Sequence, residues 1–211
     1  MKIGAAGGGA IKLRCIGQPI GSEAEVRNEL APLLALQAPS SPLAVTTMSF
    51  LKAVEYFSGG LGYESVYFKA KSDYVLAPLS SAAIGVMMAA VASVPIGAIA
   101  LLCDAYGGRI ADPAPTDTAF PRRAGTQYCI QYFSSWQHAN ETPGHLQNLA
   151  KVYAAMQPYM FSAAYVNYCD SDLPNWASAY WGENLPRLSA IKQTYDGANV
   201  FHHQQSVPLP P

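Results

Sequence analysis

Charge is scarce in this chain: Asp, Glu, Lys and Arg make up 13% of 211 residues. Lys plus Arg number 13 against 14 for Asp plus Glu, and no basic stripe runs along the sequence. Nothing electrostatic therefore points to nucleic acid or an anionic membrane as partner. Cysteine is also scarce. Cys15, Cys103, Cys129 and Cys169 are widely spaced, with no C-x-x-C pair and no histidine at metal-ligand spacing. That pattern predicts buried free thiols. The opening MKIGAAGGGA lacks a continuous apolar run, so no secretory leader is read and a cytoplasmic location is expected. The sequon Asn140-Glu141-Thr142 matters only in a secreted eukaryotic protein.

The self-contained catalytic signatures are missing too. There is no G-x-S-x-G, H-E-x-x-H, G-x-x-x-x-G-K-[ST] or strand-placed G-x-G-x-x-G. His202 and His203 adjoin in an extended tail, face opposite ways and have no third ligand nearby, so no metal site is expected. The uncharged run Ala82 to Cys103 is long enough to cross a bilayer. Its punctuation predicts otherwise: Ser80 and Ser81 cap a helix through IGVMMAAVA, Pro95 and Gly97 stop it, and a buried strand follows.

What is present reads as alternating strands and helices. A strand is expected at Ile11–Gly17, then a helix opened by the capping box Ser22-Glu23-Ala24-Glu25 and running through Leu36. Further expected elements are a helix at Phe50–Phe57, a turn in SGGLGYES, and strands at Val66–Lys71 and Ala98–Asp104. Tyr106-Gly107-Gly108 predicts a tight turn with a return strand at Arg109–Ala111. Asp112–Arg123 reads as a loop and Gly125–Phe133 as the clearest strand. A helix at His145–Met156, a strand at Ala163–Tyr168, short helices near Trp176–Tyr180 and Leu185–Thr194, and a proline-rich tail complete the chain. The hairpin signal and half-polar strands predict an α+β fold, an antiparallel sheet covered by helices on one face. We divide it into a glycine-rich segment 1–10, an α+β portion 11–160 and a C-terminal motif region 161–211.

Tyr165-Val166-Asn167-Tyr168-Cys169-Asp170 packs two phenols, an amide and a carboxylate into six residues. One reading is a strand end whose tyrosines pack by their rings. The other joins it to Asp104 and Gln131, polar groups in apolar strands, to make an apolar pocket with a few converging polar groups.

The stretch from Tyr165 to Pro211 resembles the end of berberine bridge enzyme-like flavoproteins. The resemblance is carried by Tyr165, Asn167, Tyr168 and Asp170, then Tyr180-Trp181-Gly182, Asn184 and Arg187-Leu188. Lys192, Tyr195-Asp196, Asn199, Phe201, Gln205-Ser206 and Pro208 continue it, with Gly197 where the family usually has proline. Upstream, Tyr106-Gly107-Gly108, Phe120-Pro121-Arg122-Arg123 and Gln131-Tyr132 with Trp136 also match.

The resemblance implies oxidation of an alcohol, sugar or benzylic carbon by hydride transfer to N5 of FAD, with reoxidation by dioxygen. It implies that Tyr168 is the catalytic base, that Tyr165 lines the same pocket, and that Asn167 contacts the flavin. Gln131, Asp104 and Cys129 fall on strand positions that line the substrate pocket in relatives; a thiol at Cys129 cannot act as a carboxylate base there. An ordinary tyrosine has a pKa near 10, so a positive group or hydrogen bonds are expected to lower that of Tyr168. On a plain strand Tyr165 and Tyr168 face opposite ways, so a bulge or strand end between them is required. The family's flavin-attaching N-terminal domain has no counterpart here. The expectation is a substrate half that needs a separate FAD-binding domain or chain and is inactive alone; the alternative is a non-catalytic small-molecule-binding module or remnant.

Overall fold

Gly7, Gly8 and Gly9 all take positive φ (90°, 58° and 79°), a run that residues with a Cβ rarely adopt. They turn strand β1 (Lys2–Gly7) back into β2 (Ala10–Arg14), so the glycine-rich opening is a hairpin and the first expected strand is its second arm. The computed structural model describes residues 1–58 and 65–211; most of the expected SGGLGYES turn, Gly59 to Glu64, lies outside these. The chain divides into two compact units, Ile16–Ser65 and Met1–Cys15 with Val66–Pro211.

The smaller unit holds α1 (Glu23–Leu36) and α2 (Phe50–Phe57). At the start of α1 the Ser22 N–H donates to Glu25 Oε2 (2.7 Å) and the Glu25 N–H to Ser22 Oγ (3.3 Å). This is the reciprocal cap that the sequence predicts.

The larger unit is built on β1, β2, β3 (Tyr67–Val75), β4 (Ala100–Ala105) and β5 (Tyr128–Trp136), in the order β2-β1-β4-β5-β3 with every pairing antiparallel. Helices α3 (Ser81–Ala92) and α4 (Thr142–Met156) cover one face. Ile3, Leu101, Ile130 and Tyr132, each 0% exposed, meet Met87 and Val91 of α3 and Leu149, Val152 and Met156 of α4 there. The architecture is the expected α+β sheet with helices on one face. The uncharged run is resolved as predicted, into α3 and β4, and no helix among the described residues is long and apolar enough to cross a membrane.

Three expectations need correction. Arg109–Ala111 is not a return strand: Gly108–Ile110 form a 3-10 turn, and the strand returning beside β4 is β5. Ala163–Tyr168 is not a strand either. Tyr74 and Phe161 make one isolated bridge, and the Tyr168 N–H then closes a turn onto the Tyr165 carbonyl (2.9 Å). Of the four thiols only Cys103 and Cys129 are buried, whereas Cys15 and Cys169 are exposed. Helices α5 (Trp176–Trp181) and α6 (Leu185–Asp196) then lead into the tail.

Candidate functional site

Strand alternation sends Ile130 and Tyr132 of β5 to the helices and Cys129, Gln131 and Phe133 to the opposite face. Cross-strand register puts Tyr74 and Ser72 of β3, and Asp104 and Leu102 of β4, on that same face. The 165–168 turn lies over it. The Ser72 hydroxyl oxygen accepts from the Tyr165 N–H (2.8 Å), and the Tyr165 and Tyr168 rings meet edge to face at 5.0 Å. The turn thus supplies the reversal that a plain strand would have denied these two tyrosines.

The aromatic set is wider than the sequence suggests. Tyr74 packs on Tyr106 (5.8 Å) and Tyr165 (6.5 Å), and Phe120 joins Tyr106 (6.2 Å) to Tyr165 (5.9 Å). The Arg122 guanidinium sits over Tyr74 and Phe161 at 5.8 and 5.5 Å, and burial lowers its pKa. Sequence reading missed Tyr74 because it ended the strand at Lys71; the polar run Lys71-Ser72-Asp73 breaks the alternation that would have signalled its continuation to Val75.

Tyr168 Oη donates to Asp104 Oδ2 (3.1 Å) across 64 residues of chain. Burial, then the neighbouring Asp104 carboxylate, push the Tyr168 phenol above its ordinary pKa, contrary to the lowering expected from sequence. Asn167 Nδ2 donates to Tyr165 Oη (2.8 Å) from an exposed position. Cys129 lies beneath the rings, 1% exposed, with its thiol pushed up to about 12 by burial and then by Asp104. Gln131 is half-buried, two strands from the hairpin, and its side chain makes no hydrogen bond among the described residues. Tyr168, Tyr165, Asn167 and Asp104 therefore form one linked group, with Gln131 beside it and Cys129 under it. A cavity of about 540 Å³ lies on the far side of the turn, between Cys169, Trp181, Phe201 and His203.

The remaining motif residues hold this turn in place. The Asp170 carboxylate, 4% exposed, takes Lys71 (2.7 Å) and Lys69 (2.9 Å) from edge strand β3. Tyr180 Oη accepts from the Asp170 N–H (2.9 Å) and donates to Gln205 Oε1 (3.2 Å), while Gln205 Nε2 donates to the Asp170 carbonyl (2.7 Å). Asn184 Nδ2 donates to the Pro115 and Thr118 carbonyls (2.8 and 3.1 Å), fixing the loop that carries Phe120. The tail histidines make turn contacts: His202 Nδ1 bonds the Asn199 carbonyl, and His203 Nδ1 accepts from the Gln205 N–H.

Residues 164–208 match the family model described as berberine and berberine like. The chain is 29% identical over 197 residues to an uncharacterised FAD-linked oxidoreductase of Bacillus subtilis, covering 93% of this chain and 43% of that one. It is 31% identical over 185 residues to a monolignol oxidoreductase of Arabidopsis thaliana, covering 76% and 34%. Its fold superposes with a TM-score of 0.80 on a berberine bridge enzyme-like protein of Physcomitrella patens, at 29% identity, over 90% of this chain and 43% of that one. The chain thus spans less than half the length of these relatives. Over the portion it spans, its sequence and fold are similar to those of berberine bridge enzyme-like FAD-linked oxidoreductases.

Proposed function

We propose that this chain is the substrate side of an FAD-dependent oxidoreductase that oxidises a hydroxyl-bearing small molecule. The observation that carries the reading is the hydrogen bond from Tyr168 Oη to Asp104 Oδ2 on the sheet face opposite α3 and α4. A phenol with a raised pKa is a poor base by itself. Coupled to Asp104, it becomes a relay: as Tyr168 Oη takes the substrate hydroxyl proton, its own proton passes to the carboxylate. Tyr165 walls the site, and Gln131 offers a free amide to a substrate oxygen. Exposed Asp104 and half-buried Tyr168 suit a site closed by something packed on this face.

The residues present fit the ring end of FAD. The Asn167 amide uses one N–H on Tyr165 and keeps its carbonyl oxygen open as an acceptor, beside rings that would meet a flat heterocycle. Bound there, FAD supplies acceptance of the hydride leaving the substrate carbon. The sequence offers no glycine-rich pyrophosphate loop, so the phosphate end is assigned to a flavin-binding domain or chain outside these residues. The test is an absorbance spectrum of this chain purified alone and co-expressed with the flavin domain of a relative. Flavin retained only in the co-expressed preparation, and bleached anaerobically by an alcohol substrate, supports the reading. A folded chain that retains no flavin in either preparation leaves a small-molecule-binding module.

A further inference from the structure

The face that carries Gln131 and Asp104 continues across β4 onto the hairpin. Leu102 stands opposite Gln131, Lys2 opposite Leu102, and Arg14 opposite Lys2, so one row across the sheet reads Gln131, Leu102, Lys2, Arg14. In the next row on this face Lys12 stands opposite Gly4, which puts no side chain beside it. Directly opposed residues project from the same face. Ile3, fully buried against the helices, fixes the parity: its neighbour Lys2 turns away from the core, towards the site face.

Lys2, Lys12 and Arg14 are all exposed, and none makes a salt bridge among the described residues. Like charges directly opposite one another weaken a strand pair unless an anion sits between them. Asp104 lies two residues along β4 from Leu102, which places the Lys2 Cα roughly 8 Å from that of Asp104 at ordinary strand spacing. A small molecule whose hydroxyl meets Tyr168 therefore extends, at its other end, to these cations.

We propose that Lys2, Lys12 and Arg14 form a carboxylate-binding subsite, which makes the substrate class a small hydroxylated organic acid. Arg14 provides the planar fork that matches a carboxylate, and the lysines provide point charges beside it. The proposal rests on the oxidase reading for what lies at the other end of the molecule, but its own test is binding and needs no flavin. Affinities of the full chain for 4-(hydroxymethyl)benzoate and its uncharged twin, 4-(hydroxymethyl)benzamide, are measured by titration followed by NMR. The acid is expected to bind at least 10-fold more tightly than the amide. That preference should shrink with added salt and vanish in Lys2→Gln/Arg14→Gln, with the amide affinity unchanged. Arg14→Glu should bring the acid below the amide. An unchanged melting temperature in these surface variants certifies the fold. Equal affinities, no measurable binding of the acid, or a preference that survives the substitutions overturns the subsite. Acid preference without flavin bleaching in the co-expressed preparation keeps the subsite and sinks the oxidase reading instead.

Discussion

Tyr168 and Asp104 face each other because a turn and a strand end meet, and the pair has a specific chemical consequence. Burial, then the carboxylate beside it, holds the phenol's proton more firmly, and in the proposed relay deprotonation is coupled to transfer onto Asp104. In a flavin-loaded assembly, Tyr168→Phe should slow anaerobic flavin reduction by about 10²–10⁴-fold, the usual span for one positioned acid–base group, with substrate affinity changed little. Asp104→Asn keeps the hydrogen bond but removes the acceptor for the proton. Its flavin reduction should become steeply dependent on rising pH, and a flat profile at wild-type rate would show that Asp104 only packs. Asp73 poses a different residue-scale problem. It sits 2% exposed on the helix face with Gln157 donating to it (3.0 Å), and burial raises its carboxyl from 3.8 to about 7. The folded chain thus keeps a proton that the unfolded chain has lost above pH ~4, so this stabilisation is full below ~4 and disappears as pH rises through about 7. Asp73→Asn should raise stability at pH 8 by on the order of 1–3 kcal/mol and leave it nearly unchanged at pH 4, read by urea melts at the two pH values.

At the level of elements, edge strand β3 and the C-terminal segment depend on each other. Lys69 and Lys71 point from β3 to Asp170, and the same residue is held by Tyr180 and Gln205 through its backbone. Removing one partner from a buried ion cluster leaves the other charges unpaired, which costs about 3–5 kcal/mol in well-buried cases. Asp170→Ala should destabilise the chain by about 3 kcal/mol, and it should broaden the Tyr165 and Tyr168 resonances before global unfolding. A loss below about 0.5 kcal/mol would show that the tail is held by its apolar contacts alone. The Asp112–Arg123 segment is a similar case: it has no regular structure, yet Asn184 and Arg187 bind its carbonyls from the far end of the sequence.

On the scale of the whole molecule, the sheet of the larger unit has one face covered by α3 and α4, and its opposite face carries the candidate site. Exposed Phe68, stacked on Phe133 at 6.1 Å, continues that face in apolar character. A flavin-binding partner seated there should raise the melting temperature, and Phe68→Glu should abolish the gain while leaving the isolated chain's own melt unchanged. The local elements were legible in the sequence because their signals act over one or two turns. Ser22 and Glu25 cap α1, Ser80 opens α3, Pro95 and Gly97 separate it from β4, and alternation marks β5. The Tyr165–Asp170 motif marks the candidate site within the sequence itself. The 165–168 turn was not legible, because its geometry comes from Ser72 and Lys71, which lie about a hundred residues earlier in the chain. Nor was the direction of the Tyr168 shift, set first by burial and then by a carboxylate 64 residues away. The cationic row escaped notice because Lys2, Lys12 and Arg14 form no run along the chain; hairpin pairing alone makes them neighbours. By itself the sequence determined most of the elements, the α+β class and the family resemblance, all of which rest on near-neighbour patterns. Only the tertiary structure decided which side chains share a face, because register and packing join residues that no local pattern connects.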